Sequence, residues 1–227
     1  MVPPHSQKGT FALDYSSAGD LPEFAQTEME PQAVARPRFI DSLDFLTALV
    51  LFVFTLPILA LSLLWVVLVD RGNPFFTQTR IGLHGKPYTI FKVRSMRDDR
   101  RGHARFCAHG DDRLLPGGQF LRKTRIDELP QLFNVLIGNM ALVGPRPEQP
   151  DFVKSFIKEI PRYADRFEVK PGITGLAQVS QGYVDSLHGT RIKVRYDLFF
   201  INKRSVALWL RIVARTIHVV VFGKGAR

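Results

Sequence analysis

Hydrophobic and polar positions divide this chain into a patternless start, one long apolar run, a broken mixed region and an apolar end. Residues 1–37 carry no apolar period and are interrupted by Pro3, Pro4, Gly9, Gly19, Pro22 and Pro31, which predicts a disordered tail. No basic cluster leads into a short apolar run ending in small residues, so the tail does not read as a secretory leader. Residues 38–70 are different. Only Asp41 and Asp44 are charged between Phe39 and Val69, and the run exceeds the ~18 apolar residues that mark a membrane segment. Pro57 sits near its middle, where it removes a helical hydrogen bond and crowds the preceding turn. Thr55 is placed to bond a freed carbonyl. Arg36 and Arg38 precede the run and Arg71 and Arg80 follow it. Basic residues on both flanks argue against one straight span, because cations gather on one side of a membrane. The expected element is a re-entrant helix bent at Pro57.

From residue 71 onward the pattern is that of a compact body, mainly α with small β elements (α+β). Phe75, Phe76, Tyr88, Ile90 and Phe91 lie in short runs separated by Gly82, Gly85 and Pro87, predicting a hairpin. Met96 to Gly118 is polar and turn-rich and reads as a surface loop. Leu129, Leu132, Phe133, Leu136 and Ile137 recur at helical spacing, so a helix starts near Asp127, tolerates Pro130 in its first turn and stops at Gly138-Asn139. Pro150 to Phe167 holds a further helical stretch. In Val206 to Phe222, Arg211, Arg215 and His218 form one narrow polar stripe on an apolar helix containing Trp209. A core helix with one wet edge and an interfacial helix in the headgroup plane both fit that pattern.

Charge sharpens this picture. The formal net charge is +10; residues 1–36 hold two cations against five carboxylates, a net of −3, so the rest carries +13. Such a body favours anionic partners: phosphorylated metabolites, an anionic membrane face or nucleic acid. The single Cys107 excludes a disulfide framework and a cysteine zinc site. No glycine-rich nucleotide loop, nucleophile elbow or His-Glu-x-x-His motif occurs, and the six histidines are scattered.

Asp127 and Glu128 stand out. At a helix start, free N–H groups and the dipole would keep a carboxylate ionised, and such a pair can be a simple cap. Their surroundings suggest more. Lys92, Arg94, Arg122, Lys123, Arg125 and Arg146 offer charge for phosphates, Gly144-Pro145-Arg146-Pro147 is a rigid turn, and Pro171 to Gly175 could present an anion nest. A carboxylate nucleophile, a second carboxylate for Mg²⁺ and several cations are what phosphoryl transfer requires.

The strings FKVRSM (91–96), RIDELPQLFNVLIGNMALVGPRP (125–147) and KPGITGLAQV (170–179), preceded by an apolar segment, resemble the bacterial sugar transferases. These are small monotopic polyprenyl-phosphate phosphoglycosyl transferases that initiate exopolysaccharide, O-antigen or glycoprotein glycan assembly. The resemblance covers roughly Arg38 to Val221. It implies a re-entrant membrane helix over 38–70, with Pro57 at the bend, and a compact cytosolic catalytic domain with interfacial amphipathic helices over 71–227. It further implies that Asp127 attacks the β-phosphorus of a UDP-sugar and releases UMP, that Glu128 helps to hold Mg²⁺, and that undecaprenyl phosphate takes the phosphosugar. Arg146 would contact substrate phosphate, as would Lys92, Arg94 and Arg122. The implied location is the bacterial inner membrane, facing the cytoplasm and touching anionic lipids. Nucleic acid is not an implied partner, and a homodimer stays open. The chain departs from the family pattern at Arg125, Asn139, Ala141 and Trp209. Two other classes compete: a membrane-tethered basic binding module without chemistry, and an inactive scaffold of the same fold. The placing of Asp127 and Glu128 among cations weighs against the first, and the intact Asp127, Glu128 and Arg146 against the second.

Overall fold

A computed structural model of the protein describes residues 38–97, 113–181 and 186–222. The tail expected over 1–37 and most of the loop expected between Met96 and Gly118 lie outside the described residues. The rest is mostly helical with four short strands, in agreement with an α+β reading.

Helix α1 runs from Arg38 to Asp70, long and apolar enough to cross a membrane by length and composition. It continues as helix through Pro57. The carbonyl that Pro57 deprives of a donor is that of Val53, one turn back. The Thr55 hydroxyl donates instead to the carbonyls of Leu51 at 2.7 Å and Phe52 at 3.3 Å, so its expected role at the freed carbonyl is corrected. Both halves of α1 pack on the body. Ile40 and Ala48 join Met140, Leu142, Trp209 and Ile212 in the main core. Leu59 and Val66 join Val93, Leu115 and Leu121 in a second cluster. Between these contacts α1 leaves a broad apolar face uncovered, with Phe54 76% and Leu61 68% exposed.

Strands β1 (Phe75–Ile81) and β2 (Pro87–Val93) form the expected antiparallel hairpin, in register from Phe75 opposite Val93 to Ile81 opposite Pro87. Positive φ at His84 and Gly85 closes the turn between them. Helix α2 (Gly118–Lys123) leads into a 3₁₀ turn over Ile126–Glu128, and α3 follows over Gln131–Leu136. The helix expected from Asp127 is therefore split, with the acidic pair in the tighter turn and the Pro130 ring at the entry to α3. Fully buried Asn134 ties α3 to the hairpin. It donates to the carbonyl of Thr89 at 2.8 Å and accepts from the N–H of Phe91 at 3.1 Å.

Strand β3 (Ala141–Val143) pairs in parallel with β4 (Gly172–Thr174). The chains approach so closely that a Cβ on Gly172 would lie 2.1 Å from the Gly144 nitrogen. The N–H of Gly144 donates to Thr174 O, and that of Gly172 to Pro145 O. Of the N–H groups expected to form an anion nest at Pro171 to Gly175, that of Gly172 is used within this pairing. Helix α4 (Pro150–Glu159), a 3₁₀ turn over Tyr163–Glu168, α5 (Leu176–Ser180) and α6 (Leu187–Asn202) complete the body.

Helix α7 (Val206–Val221) starts at Ser205, whose side chain accepts from the Leu208 N–H. Trp209 and Ile212 are buried against α1, whereas Leu210, Ile217, Val221 and Phe222 are exposed. A core helix with a single wet edge would cover those residues. The apolar face is instead open, as the interfacial alternative requires.

Candidate active site

The site is assembled from three elements that the sequence leaves far apart. Strand β2 carries Lys92, the 3₁₀ turn carries Asp127 and Glu128, and the turn after β3 carries Arg146. Arg125, in the left-handed conformation at φ 60°, turns the chain after α2 so that both carboxylates point inward. Each carboxylate residue is less than a tenth exposed. Lys92 Nζ and an Arg146 guanidinium nitrogen both donate to Glu128 Oε1 at 3.0 Å. Asp127 Oδ1 is buried without a hydrogen-bond partner.

The two carboxyls consequently behave differently. Burial pushes Asp127 up to about 6; Lys92 opposes this and the neighbouring Glu128 adds to it. Burial also works against charge on Glu128, but Lys92 and Arg146, followed by Arg125, overcome it and hold that group well below the usual carboxylate range. Asp127 is thus harder to ionise than its neighbour. Desolvation outweighs any gain from the turn's N–H groups.

Of the phosphate-binding candidates, Lys92 and Arg146 meet at Glu128. Arg122, in the last turn of α2, is close enough to Asp127 to favour its ionised form, and its guanidinium approaches Met96 Sδ at 2.9 Å. Arg94 is placed elsewhere: it is ion-paired with Asp70 at the end of α1, beside Gly72. Arg125, already among the cations read from the sequence, favours the charged form of both carboxyls, whereas other residues of the site were not legible there. Glu148, Arg166 and Asp197 behind Arg146 belong to no recognisable motif and meet only in the fold.

Among the described residues no three His, Cys, Asp or Glu side chains converge as a metal cage. Mg²⁺ does not need one: one or two carboxylates suffice when phosphate oxygens and water complete the octahedron. Adjacent buried carboxylates with one orphaned oxygen fit that requirement.

Fold and site together define a class: a buried carboxylate pair set among cations and built against a long apolar helix. The chain belongs to the bacterial sugar transferase family, whose family model matches residues 36–223. Among its relatives, a UDP-N-acetylgalactosamine-undecaprenyl-phosphate N-acetylgalactosaminephosphotransferase of Aeromonas hydrophila is 42% identical over 186 residues, covering 82% of this chain and 44% of that protein. A UDP-glucose:undecaprenyl-phosphate glucose-1-phosphate transferase of Caulobacter vibrioides is 41% identical over 77% of this chain and 67% of its own length. A Bacillus subtilis sugar transferase, EpsL, is 38% identical over 79% of this chain and 86% of that protein. The chain thus spans less than half of the Aeromonas relative and most of the Bacillus one.

Proposed function

We propose that this protein transfers a phosphosugar from a UDP-sugar to undecaprenyl phosphate and releases UMP, as the first membrane step of bacterial surface polysaccharide or glycoconjugate synthesis. The observation that carries this reading is the asymmetry of the pair. Glu128 is pinned and charged by Lys92 and Arg146, while Asp127 keeps a buried oxygen with no partner. In the first half-reaction an Asp127 carboxylate oxygen forms a bond to the β-phosphorus, and the bond from that phosphorus to the UMP oxygen breaks. In the second, an oxygen of undecaprenyl phosphate attacks the same phosphorus, the aspartyl–phosphorus bond breaks and the carboxylate is restored. Glu128 would help to hold Mg²⁺, which would supply charge neutralisation when bound. Lys92, Arg146 and Arg122 line the place where phosphate charge gathers. Arg94, engaged with Asp70, serves the anchoring of α1.

Residues 38–70 act as the membrane element and 71–227 as the catalytic unit. A 33-residue helix is ~50 Å long, yet both ends of α1 are held by the same body. Asp41 pairs with Arg204 and Asp44 accepts from Trp209 at one end; Asp70 pairs with Arg94 and Arg97 at the other. An arrangement with one end across a bilayer would break one of these sets. The helix therefore enters and leaves on one side, dipping at Pro57, with its open apolar face and α7 against lipid. Because UDP-sugars are cytosolic, that side is the cytoplasmic face of the inner membrane. A panel of UDP-sugars incubated with the purified protein, undecaprenyl phosphate and Mg²⁺ tests the reading. UMP and a lipid diphosphate-linked sugar are expected from at least one donor; product from none of them contradicts it.

A further inference from the structure

We infer that Arg166, clamped by Asp197, is a positioning residue that holds Arg146 against Glu128. The inference rests on the reaction proposed above, since it assigns Arg166 a part in the same site. Both members of the clamp lie outside the three motifs that carry the family resemblance. Arg166 sits in the 3₁₀ turn over Tyr163–Glu168 and Asp197 on α6, and both are buried. The Arg166 guanidinium divides its donors three ways. Nε reaches Asp197 Oδ2 at 2.8 Å, one terminal nitrogen reaches the Tyr163 hydroxyl at 2.7 Å, and the other reaches the carbonyl of Arg146 at 2.9 Å.

That third bond is one of four on consecutive carbonyls. Pro145 O accepts from the Gly172 N–H at 2.9 Å, and Arg146 O from Arg166. Pro147 O accepts from Arg80 at 3.0 Å, and Glu148 O from the Ile81 N–H at 3.1 Å. Pro145 and Pro147 have no N–H to offer, so this segment is held largely by what its carbonyls accept. Glu148 adds side-chain pairs to Lys193 and Arg80. A loop fixed at four successive positions presents the Arg146 side chain in one place, 3.0 Å from Glu128. Arg166 supplies the only one of the four bonds that falls on Arg146 itself. Lysine could keep the charge but not the planar fork that serves an acid, a hydroxyl and a carbonyl together.

The test is a pair of double-mutant cycles on the full chain. In the first, UMP release from a UDP-sugar with Mg²⁺ is measured for Arg166→Lys, Arg146→Ala and the double variant. Acting through Arg146, Arg166→Lys should slow release about tenfold alone and less than about twofold in the Arg146→Ala background. Equal losses in both backgrounds, or none in either, would overturn the inference. The second cycle needs no substrate: Arg166→Lys and Glu128→Gln are combined and read by urea unfolding. Coupled losses support the relay, and additive losses overturn it. Coupling in unfolding together with no UMP release by the unaltered protein would sink the proposed reaction and leave the relay standing. If Arg166→Lys does not fold, Tyr163→Phe, which removes one partner of the same fork, takes its place in both cycles with the same criteria.

Discussion

At the scale of single residues, the proposed chemistry depends on Asp127 being a reactive carboxylate among cations. Asp127→Asn keeps the shape but yields a poor nucleophile, so kcat should fall roughly 10³-fold or more with the thermal unfolding temperature preserved. Full turnover by the folded variant would remove the covalent route. The titration of Asp127 adds a second expectation. Burial raises its pKa to about 6, and the proposed nucleophile is the ionised form, so the reactive fraction should grow as pH climbs through that value. The rate of UMP release should rise about tenfold from pH 5 to pH 7 and then level off. A flat profile over that range would place the reactive group elsewhere. Asp127, Glu128 and Arg146 were legible in the sequence because they lie in one continuous motif. Lys92 was legible through its own string, but its pairing with Glu128 spans 36 residues and belongs to the fold. Arg94, named from the same string, pairs in the fold with Asp70, a partner that its charge alone did not reveal.

At the scale of elements, α1 is joined to the body by an acid within an apolar helix. Asp44 Oδ1 accepts from the N–H groups of Leu142 and Val143 and from Trp209 Nε1. Asp44→Ala leaves these buried donors without an acceptor and should destabilise the protein by roughly 2–4 kcal/mol, read by chemical unfolding in detergent. A change below about 0.5 kcal/mol would show that the apolar contacts alone hold α1. Trp209 owes its place in the core to this bond as well as to its apolar contacts. The hairpin was legible from its aromatic runs and turn glycines, and the terminal helix from its stripe of Arg211, Arg215 and His218. Periodicity could not reveal that the helix after Arg125 starts as a 3₁₀ turn, because that depends on the left-handed φ at Arg125. Nor could it show that Pro171 to Gly175 enters a parallel pairing. Its glycines suit an anion nest as well as they suit the close approach of Gly144. Gly172→Ala should therefore fold poorly or lose several degrees of thermal stability, whereas unchanged stability would mean that the two strands can move apart.

At the scale of the whole molecule, the proposed reaction asks a cationic body and an apolar helix held at both ends to bring a soluble nucleotide sugar to a lipid phosphate. A cysteine placed in the tail of a Cys107→Ser protein should resist membrane-impermeant thiol reagents added from the periplasmic side. Efficient labelling there would restore a single straight span. The charge read from the sequence pointed only to anionic partners, leaving phosphorylated metabolites, an anionic membrane face and nucleic acid open. The joining of both ends of α1 to one body came only with the fold, through contacts as distant in sequence as Asp41 with Arg204. The most direct test of the account is rapid-quench measurement of UMP from a UDP-sugar and Mg²⁺ with no lipid acceptor present. A covalent aspartyl-phosphosugar predicts a burst of about one UMP per active site, with the sugar phosphate retained on the protein and absent in Asp127→Asn. UMP release that depends strictly on undecaprenyl phosphate, with no sugar phosphate on the protein, would contradict it.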